Sequence, residues 1–347
     1  MAYTTIKKPS DYFNTKLFTG TGSDNNAITG VGFQPDWVWL KARNQADYHY
    51  SLDAVRGVTK CIFQNDTSAE STFADSLKSF DSDGFTLGTS GDLNASSQTM
   101  ASWNWKANGA GSTNYDGSIN TTATSVNTTA GFSIVSYTGT GSTATVGHGL
   151  GSAPKMVIIK NRSITEDWFV LHTSASATAG SFLKLNSTDA VSSGNSIVFN
   201  NTNPTSTVFT VGTVNGTNGS GNNMIAYCFA EKTGYSKFGS YTGNGNADGT
   251  FVYTGFKPAF MMVKRTDGAQ PWVMTDSTRS TYNITSHFLS AESSDAEASY
   301  TYFDILSNGF KCRNSSNYVN ESNGTYIYMA FAEAPLVGTN NVPCTAR

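Results

Sequence analysis

One arrangement of residues recurs three times along this 347-residue chain, and it restricts the possible folds more tightly than anything else in it. Each copy opens on an aromatic residue followed by Thr-Gly-x-Gly, at Phe18–Gly22, Tyr137–Gly141 and Tyr241–Gly245. Fifteen residues after the first glycine stands a proline, and six residues later a lysine closes an apolar run: Pro35–Lys41, Pro154–Lys160 and Pro258–Lys264. Fourteen residues past the proline lie His49, Trp168 and Trp272. A middle phenylalanine (Phe85, Phe209, Phe310) is followed 20, 20 and 21 residues later by a closing aromatic: Trp105, Phe229 and Phe331. Spacing held over about 100 residues marks tandem structural units, each large enough for a core of its own.

The runs between these landmarks read as strands. β-Branched and aromatic stretches such as Phe132–Tyr137 and Thr250–Tyr253 are bounded by Gly, Asn, Asp and Pro, and helical periodicity is nearly absent. The expected fold is all-β: three tandem antiparallel β-sandwich repeats, jelly-roll-like. The Pro-to-Lys strand is apolar on both faces, so it should lie centrally and buried. The expected division is an N-terminal attachment segment 1–16, repeat 1 at 17–108, a Gly/Ser/Asn/Thr-rich linker or long loop at 109–130, repeat 2 at 131–232, repeat 3 at 233–335 and a tail at 336–347.

Charge narrows the function. Charged residues make up 14 % of the chain, against roughly 25 % in an average domain, and net charge is −3, with no basic stripe longer than Lys7-Lys8. A nucleic-acid partner is therefore not expected. Apolar runs such as Ala259–Val263 are too short for a membrane helix, so membrane insertion is not expected either. The first residues lack the apolar stretch of a signal peptide. Cys61, Cys228, Cys312 and Cys344 form no CxxC pair and are expected as free thiols rather than zinc ligands.

Candidates for chemistry are few. The Thr-Gly-x-Gly turns lack the Lys-Ser/Thr of a phosphate loop, and Asp81-Ser-Asp83-Gly84 lacks the later carboxylates of a calcium loop. Asp53-x-x-Arg56 and Asp276-x-x-Arg279 occupy matching positions, while repeat 2 has His172 and Ala175 there, the pattern of a local ion pair. His49, His148, His172 and His287 form no metal-ligand spacing. Asp81, Asp83 and Asp92, the clustered acids of repeat 1, have no counterparts in the other copies, so a carboxylate pair for glycoside cleavage is not expected. Trp168 and Trp272 are either core or sugar-stacking platforms, with core favoured by their apolar neighbours Phe169 and Val273. Asn-x-Ser/Thr sequons such as Asn65-Asp-Thr arise by chance in so Asn-rich a chain. No catalytic residue, metal site or cofactor is expected, and ligand-binding residues remain unassigned.

Four segments together carry a resemblance: Lys8-Pro-Ser-Asp-Tyr-Phe-Asn-Thr-Lys-Leu-Phe-Thr-Gly, Gly32-Phe-Gln-Pro-Asp-Trp-Val-Trp-Leu-Lys, Ser79-Phe-Asp-Ser-Asp-Gly-Phe-Thr-Leu-Gly and Tyr326-Ile-Tyr-Met-Ala-Phe-Ala-Glu-Ala-Pro-Leu-Val-Gly. The chain resembles, over about residues 6–340, a tandem-repeat family of bacteriophage tail-fibre and virion structural proteins, notably of marine and cyanobacterial phages. The resemblance implies a non-enzymatic protein assembled in the host cytoplasm and located in the virion. It would be a tail-fibre or receptor-binding component, or alternatively a capsid decoration protein. The partners implied are other virion proteins, a host-surface glycan, and further copies of the chain in a homo-oligomer, a trimer by analogy. At least one of the segments 1–15 and 335–347 is expected to pack on a neighbouring chain.

Overall fold

A computed structural model describes residues 3–337 and 343–345. The chain is all-β, and each repeat is built on one large antiparallel sheet with the same strand order. An opening strand (Phe13–Thr19, Phe132–Thr138, Ser236–Thr242) pairs with the closing strand (Thr99–Trp105, Asn223–Phe229, Thr325–Pro335). The closing strand pairs with the Pro-to-Lys strand (Trp37–Ala42, Met156–Asn161, Phe256–Arg265). Then come a fourth strand (Tyr50–Asp53, Trp168–His172, Trp272–Asp276) and an outer strand (Lys60–Phe63, Phe182–Lys184, Thr285–Ser290). The Pro-to-Lys strand thus has partners on both edges and both faces covered, which is why it carries apolar residues at successive positions. A second, smaller sheet around the middle phenylalanine completes each sandwich. In repeat 3 it is continuous with the large one, giving eight strands in a single nearly closed sheet.

Alternation along the central strands divides two kinds of core. Val38 and Leu40 point into the sandwich of repeat 1, Val157 and Ile159 into that of repeat 2, and Met261 and Val263 into that of repeat 3. The intervening residues Trp37, Trp39, Met156, Ile158, Phe260 and Met262 all join one cluster shared by the three repeats. The closing aromatics locate its axis. Trp105 lies 6.4 Å from Phe229 and 5.7 Å from Phe331, and Phe229 lies 6.0 Å from Phe331, centroid to centroid. Three equivalent residues in mutual contact place the repeats around a common pseudo-threefold axis. Trp37 stacks on Tyr227 across one seam at 4.3 Å, and Trp103 meets Phe260 across another at 5.9 Å. At roughly 1.5–3 kcal/mol for each large side chain taken from water, this shared core is a principal source of cohesion between repeats.

Two segments differ from expectation. The segment 109–130 contains a strand, Ala123–Asn127, which pairs with the outer edge of repeat 2's opening strand, and Ile119 within it is buried. Its polar composition suits a strap laid across a sandwich side, where half of each residue faces water. The N-terminal segment, from residue 3 on, packs on its own chain, where it was expected to find little to bury against. Ile6 and Phe13 are buried in the shared core, Phe13 stacks on Phe331 at 5.0 Å, and Tyr3 Oη donates to Gly255 O of repeat 3. Of the C-terminal tail, Cys344 N donates to Leu336 O, and residues 338–342 and 346–347 lie outside the described residues. The thiols of Cys61, Cys228, Cys312 and Cys344 are free, the first three buried.

Candidate functional site: the open seam between repeats 3 and 1

The recurring glycines belong to a clamp that holds each repeat together. A buried asparagine sits under every Thr-Gly-x-Gly turn: Asn94, Asn218 and Asn320. Its Oδ1 accepts from the backbone N of Thr21, Thr140 or Asn244, at 2.8–3.0 Å. Its Nδ2 donates to two carbonyls, Ser23 and Gly88 O in repeat 1, Ser142 and Gly212 O in repeat 2, and Asn246 and Asn314 O in repeat 3. The residue after each asparagine presses its carbonyl on the first glycine. A Cβ at Gly20, Gly139 or Gly243 would stand 2.2–2.3 Å from that oxygen. The turns are structural locks and hold no phosphate loop.

The seams between repeats form a directed ring, 1 to 2 to 3 and back to 1. At the 1–2 seam, Asp53 and Arg56 are fully buried and paired, Arg56 also reaches Glu70 at 3.2 Å, and Arg162 of repeat 2 closes on Glu70 with two 2.9 Å bonds. Tyr227 Oη of repeat 2 donates to Asp53 Oδ2 at 2.7 Å. Burial opposes charge on Arg56, but Asp53, Tyr227 and Glu70 outweigh it and raise its pKa above the ordinary value. The 3–1 seam repeats the pattern. Asp276 pairs with Arg279, Arg279 with Glu297, Arg43 of repeat 1 with Glu297, and Trp103 Nε1 donates to Asp276 at 3.1 Å. At the 2–3 seam all five places change together, to His172, Ala175, Val191, Thr266 and Met329. The common backbone bonds, Glu70 N to Arg162 O, Val191 N to Thr266 O and Glu297 N to Arg43 O, establish the equivalence. A buried ion pair stripped of one partner is costly, so the network is present whole or replaced whole.

A second set of seam bonds breaks the symmetry. Lys41, Lys160 and Lys264 are fully buried at equivalent positions, and burial pushes each down to about 8. Lys160 Nζ donates across the 1–2 seam to Thr67 O at 2.7 Å, and Lys264 Nζ across the 2–3 seam to Thr188 O at 3.0 Å. The same carbonyls accept from Glu166 N and Gln270 N, both at 2.9 Å. The equivalent carbonyl in repeat 3 is Ser294 O, four residues past the outer strand as Thr67 and Thr188 are. Lys41 is turned away from it, onto Ala42 O at 2.8 Å and Gln45 O at 3.1 Å of its own repeat. No donor among the described residues reaches Ser294 O across this seam.

A cleft of about 1080 Å³ occupies that place, with Asp47, Tyr48 and Asp92 on the repeat 1 wall and Glu292, Ser294 and Asp295 on the repeat 3 wall. Burial, and then the neighbouring Asp92, raise the pKa of Asp47. Burial raises Glu292 to about 7, although Trp272 N donates to its carboxylate. Gln98 donates to Asp47 at 2.6 Å and leaves its own buried Oε1 without a partner. His49, wholly buried behind the cleft, receives Trp39 Nε1 on Nδ1 at 2.9 Å and turns Nε2 toward the Ser290 and Ser293 backbone without a well-formed bond.

The candidates read from sequence separate clearly. Trp168 and Trp272 are buried and donate across their seams to Phe63 O and Lys184 O, so neither is a sugar platform. Asp81 accepts from Thr86, and Asp83 from Gly30 N and Gly32 N, so of that acidic trio Asp92 alone reaches the cleft. His148 and His172 each bond one backbone carbonyl through Nε2 and accept a backbone N–H on Nδ1, and His287 lies beside the Ser280 and Ser286 hydroxyls. Among the described residues no cluster of His, Cys, Asp or Glu is arranged to hold a metal ion. Residues 8–335 match the family described as a domain of unknown function (DUF7483). No curated protein and no solved structure matches the chain.

Proposed function

Because the chain belongs to this DUF7483 family, whose description names no activity, we propose its role from its own architecture: a non-enzymatic bacteriophage virion structural protein, and within that a tail-fibre or receptor-binding component. The observation that carries the reading is the division of labour across the ring. The recurring charged and polar landmarks are used inside the molecule, as clamps and seams, and the departure from symmetry opens on its surface at the 3–1 seam. A scaffold of interlocked repeats with a distinctive outward cleft suits a part that is built into a particle and touches something else. Host-surface ligands, other virion proteins and further copies of the chain are the proposed partners. The pseudo-threefold arrangement favours a second reading, a decoration protein seated at a threefold position of the head, since one chain would satisfy three equivalent contacts. Quantitative mass spectrometry of purified particles decides between them. A few dozen copies or fewer per virion are expected for a fibre component and hundreds for a decoration protein. Absence from purified particles rejects both.

A further inference from the structure

We propose that the cleft at the 3–1 seam binds a primary alkylammonium group, seated on the Ser294 carbonyl and held between the Asp47 and Asp295 walls. The ligand chemistry is taken from the molecule itself. At the two closed seams the carbonyl four residues past the outer strand carries a lysine ammonium, at 2.7 Å on Thr67 O and 3.0 Å on Thr188 O. At the third seam the equivalent residue, Ser294, lines a cleft, and the lysine that would bond its carbonyl is engaged elsewhere. What the Ser294 carbonyl lacks is an ammonium donor: Lys41 feels the charges of Asp47 and Asp295, but its Nζ is spent on Ala42 O and Gln45 O. Asp47, Asp66, Asp92, Glu292 and Asp295 line the cleft, and no Lys or Arg side chain does. Like charges facing one another across a gap repel, at roughly 1 kcal/mol for a 4 Å pair in water and more where water is partly excluded. Lys41 and Lys264 offset part of that repulsion from outside the cleft lining, and a cation placed between the walls relieves the rest. Tyr48 and Tyr318 at the rim add aromatic faces of the kind that attract ammonium groups. The described residues offer no preformed metal cluster, which sets an organic ammonium ahead of a divalent ion.

An ammonium has two sources, a free polyamine or the lysine of a docking polypeptide, and both place the same group on the same carbonyl. Either would close the 3–1 seam as Lys160 and Lys264 close the others. The inference does not depend on the virion reading, so a protein missing from particles could still bind amines, and the reverse.

The test is calorimetric titration of the full chain at neutral pH and constant ionic strength, with spermidine and with a short peptide carrying one lysine with a free ε-ammonium, acetylated at its N-terminus and amidated at its C-terminus, as separate probes. Binding of one or both, with a raised unfolding temperature, is expected. In D47N/D295N, which removes wall charge and leaves the shared core untouched, affinity should fall at least tenfold while circular dichroism stays unchanged. Spermidine alone binding identifies a free polyamine, and the peptide alone a polypeptide partner. Equal heats from magnesium or guanidinium at matched ionic strength would show charge screening only and overturn the proposal. So would binding of glucose oligomers without amines, or binding that the double variant retains.

Discussion

His172 occupies the place that Asp53 and Asp276 hold in the other repeats, and it is uncharged for a physical reason. Its Nδ1 accepts from Ser174 N at 3.2 Å, so its Nε2 carries the proton that bonds Tyr328 O across the 2–3 seam. Burial, with Lys155 adding repulsion, lowers its pKa to about 4. The unfolded chain binds that proton near 6.5, so His172 contributes stability that is complete above pH 6.5 and is lost as pH falls toward 4. The full shift corresponds to about 3 kcal/mol. His172→Gln keeps an amide donor for Tyr328 O and removes the titration. Urea unfolding at pH 7 and pH 4.5 should show a smaller acid loss in the variant than in the native protein, by about 1–3 kcal/mol. Identical acid losses would mean that the ring is not held neutral. At this scale the sequence was readable where residues are large. Fourteen residues past each proline, His49, Trp168 and Trp272 are buried as their neighbours suggested. Asn94, Asn218 and Asn320 were not readable, because asparagine is too common here to stand out and its distance from the middle phenylalanine changes from nine to ten.

Among the elements, the equivalence and central burial of the three Pro-to-Lys strands could be anticipated from spacing and pattern, but the seams could not. Asp53-x-x-Arg56 and Asp276-x-x-Arg279 look like closed local pairs in one dimension, and the pairs do exist. Their third and fourth members come from a distant loop and from the next repeat in the ring. The arginine eight residues past the proline is therefore kept in repeats 1 and 2, as Arg43 and Arg162, and lost in repeat 3 as Thr266. Repeat 2 lost the acid pair and repeat 3 lost its partner, a match that appears once repeat 2 is known to face repeat 3. The strand Ala123–Asn127 escapes the sequence for a similar reason, since a strand laid across an exposed edge needs little hydrophobicity and looks like loop. The seam network makes a non-additive prediction. Arg56→Ala leaves Asp53 buried without its guanidinium and Glu70 with Arg162 alone, and should cost about 3–5 kcal/mol. The fourfold replacement D53H/R56A/E70V/R162T copies four of the five places of the 2–3 seam, and the retained Tyr227 Oη keeps Ser51 Oγ at 3.2 Å. It should cost less than Arg56→Ala alone, a coupling that a denaturation series on the single and combined variants measures directly. A fourfold cost equal to the sum of the single costs would show that the network is four separate contacts.

For the whole molecule, spacing announces three units and says nothing of how they meet, because a strand apolar on both faces does not reveal that one face belongs to another repeat. Trp37, Tyr227 and Phe331 are core residues of the assembly as much as of their own sandwiches. Unfolding one repeat would expose the inner faces of the other two, so the chain should unfold in one transition, with a denaturant dependence set by the surface of all three. The seam residues also decide what each repeat would do alone. Every repeat has a leading face, the one carrying the Asp-Arg-Glu set or its replacement, and a trailing face. Repeat 1 leads with Asp53, Arg56 and Glu70 and trails with Arg43 and Trp103, the two kinds of face that meet at the 3–1 seam. It is complementary to itself, and a 120° ring of three copies would satisfy all its charges. Repeat 2 leads with His172, Ala175 and Val191 and trails with Arg162 and Tyr227, which would bury an arginine without its carboxylate. Repeat 3 leads with Asp276, Arg279 and Glu297 and trails with Thr266 and Met329, which would leave Glu297 short of one cation. Expressed separately, residues 3–107 should form a homotrimer in analytical ultracentrifugation, while 108–232 and 233–335 should remain monomeric or aggregate. Arg43→Thr in the first fragment should abolish its trimer, because it removes the cation that Glu70 of the adjacent copy requires. A first fragment that stays monomeric, or three fragments that behave alike, would show that the shared apolar core rather than the seam charges sets the order of repeats around the axis.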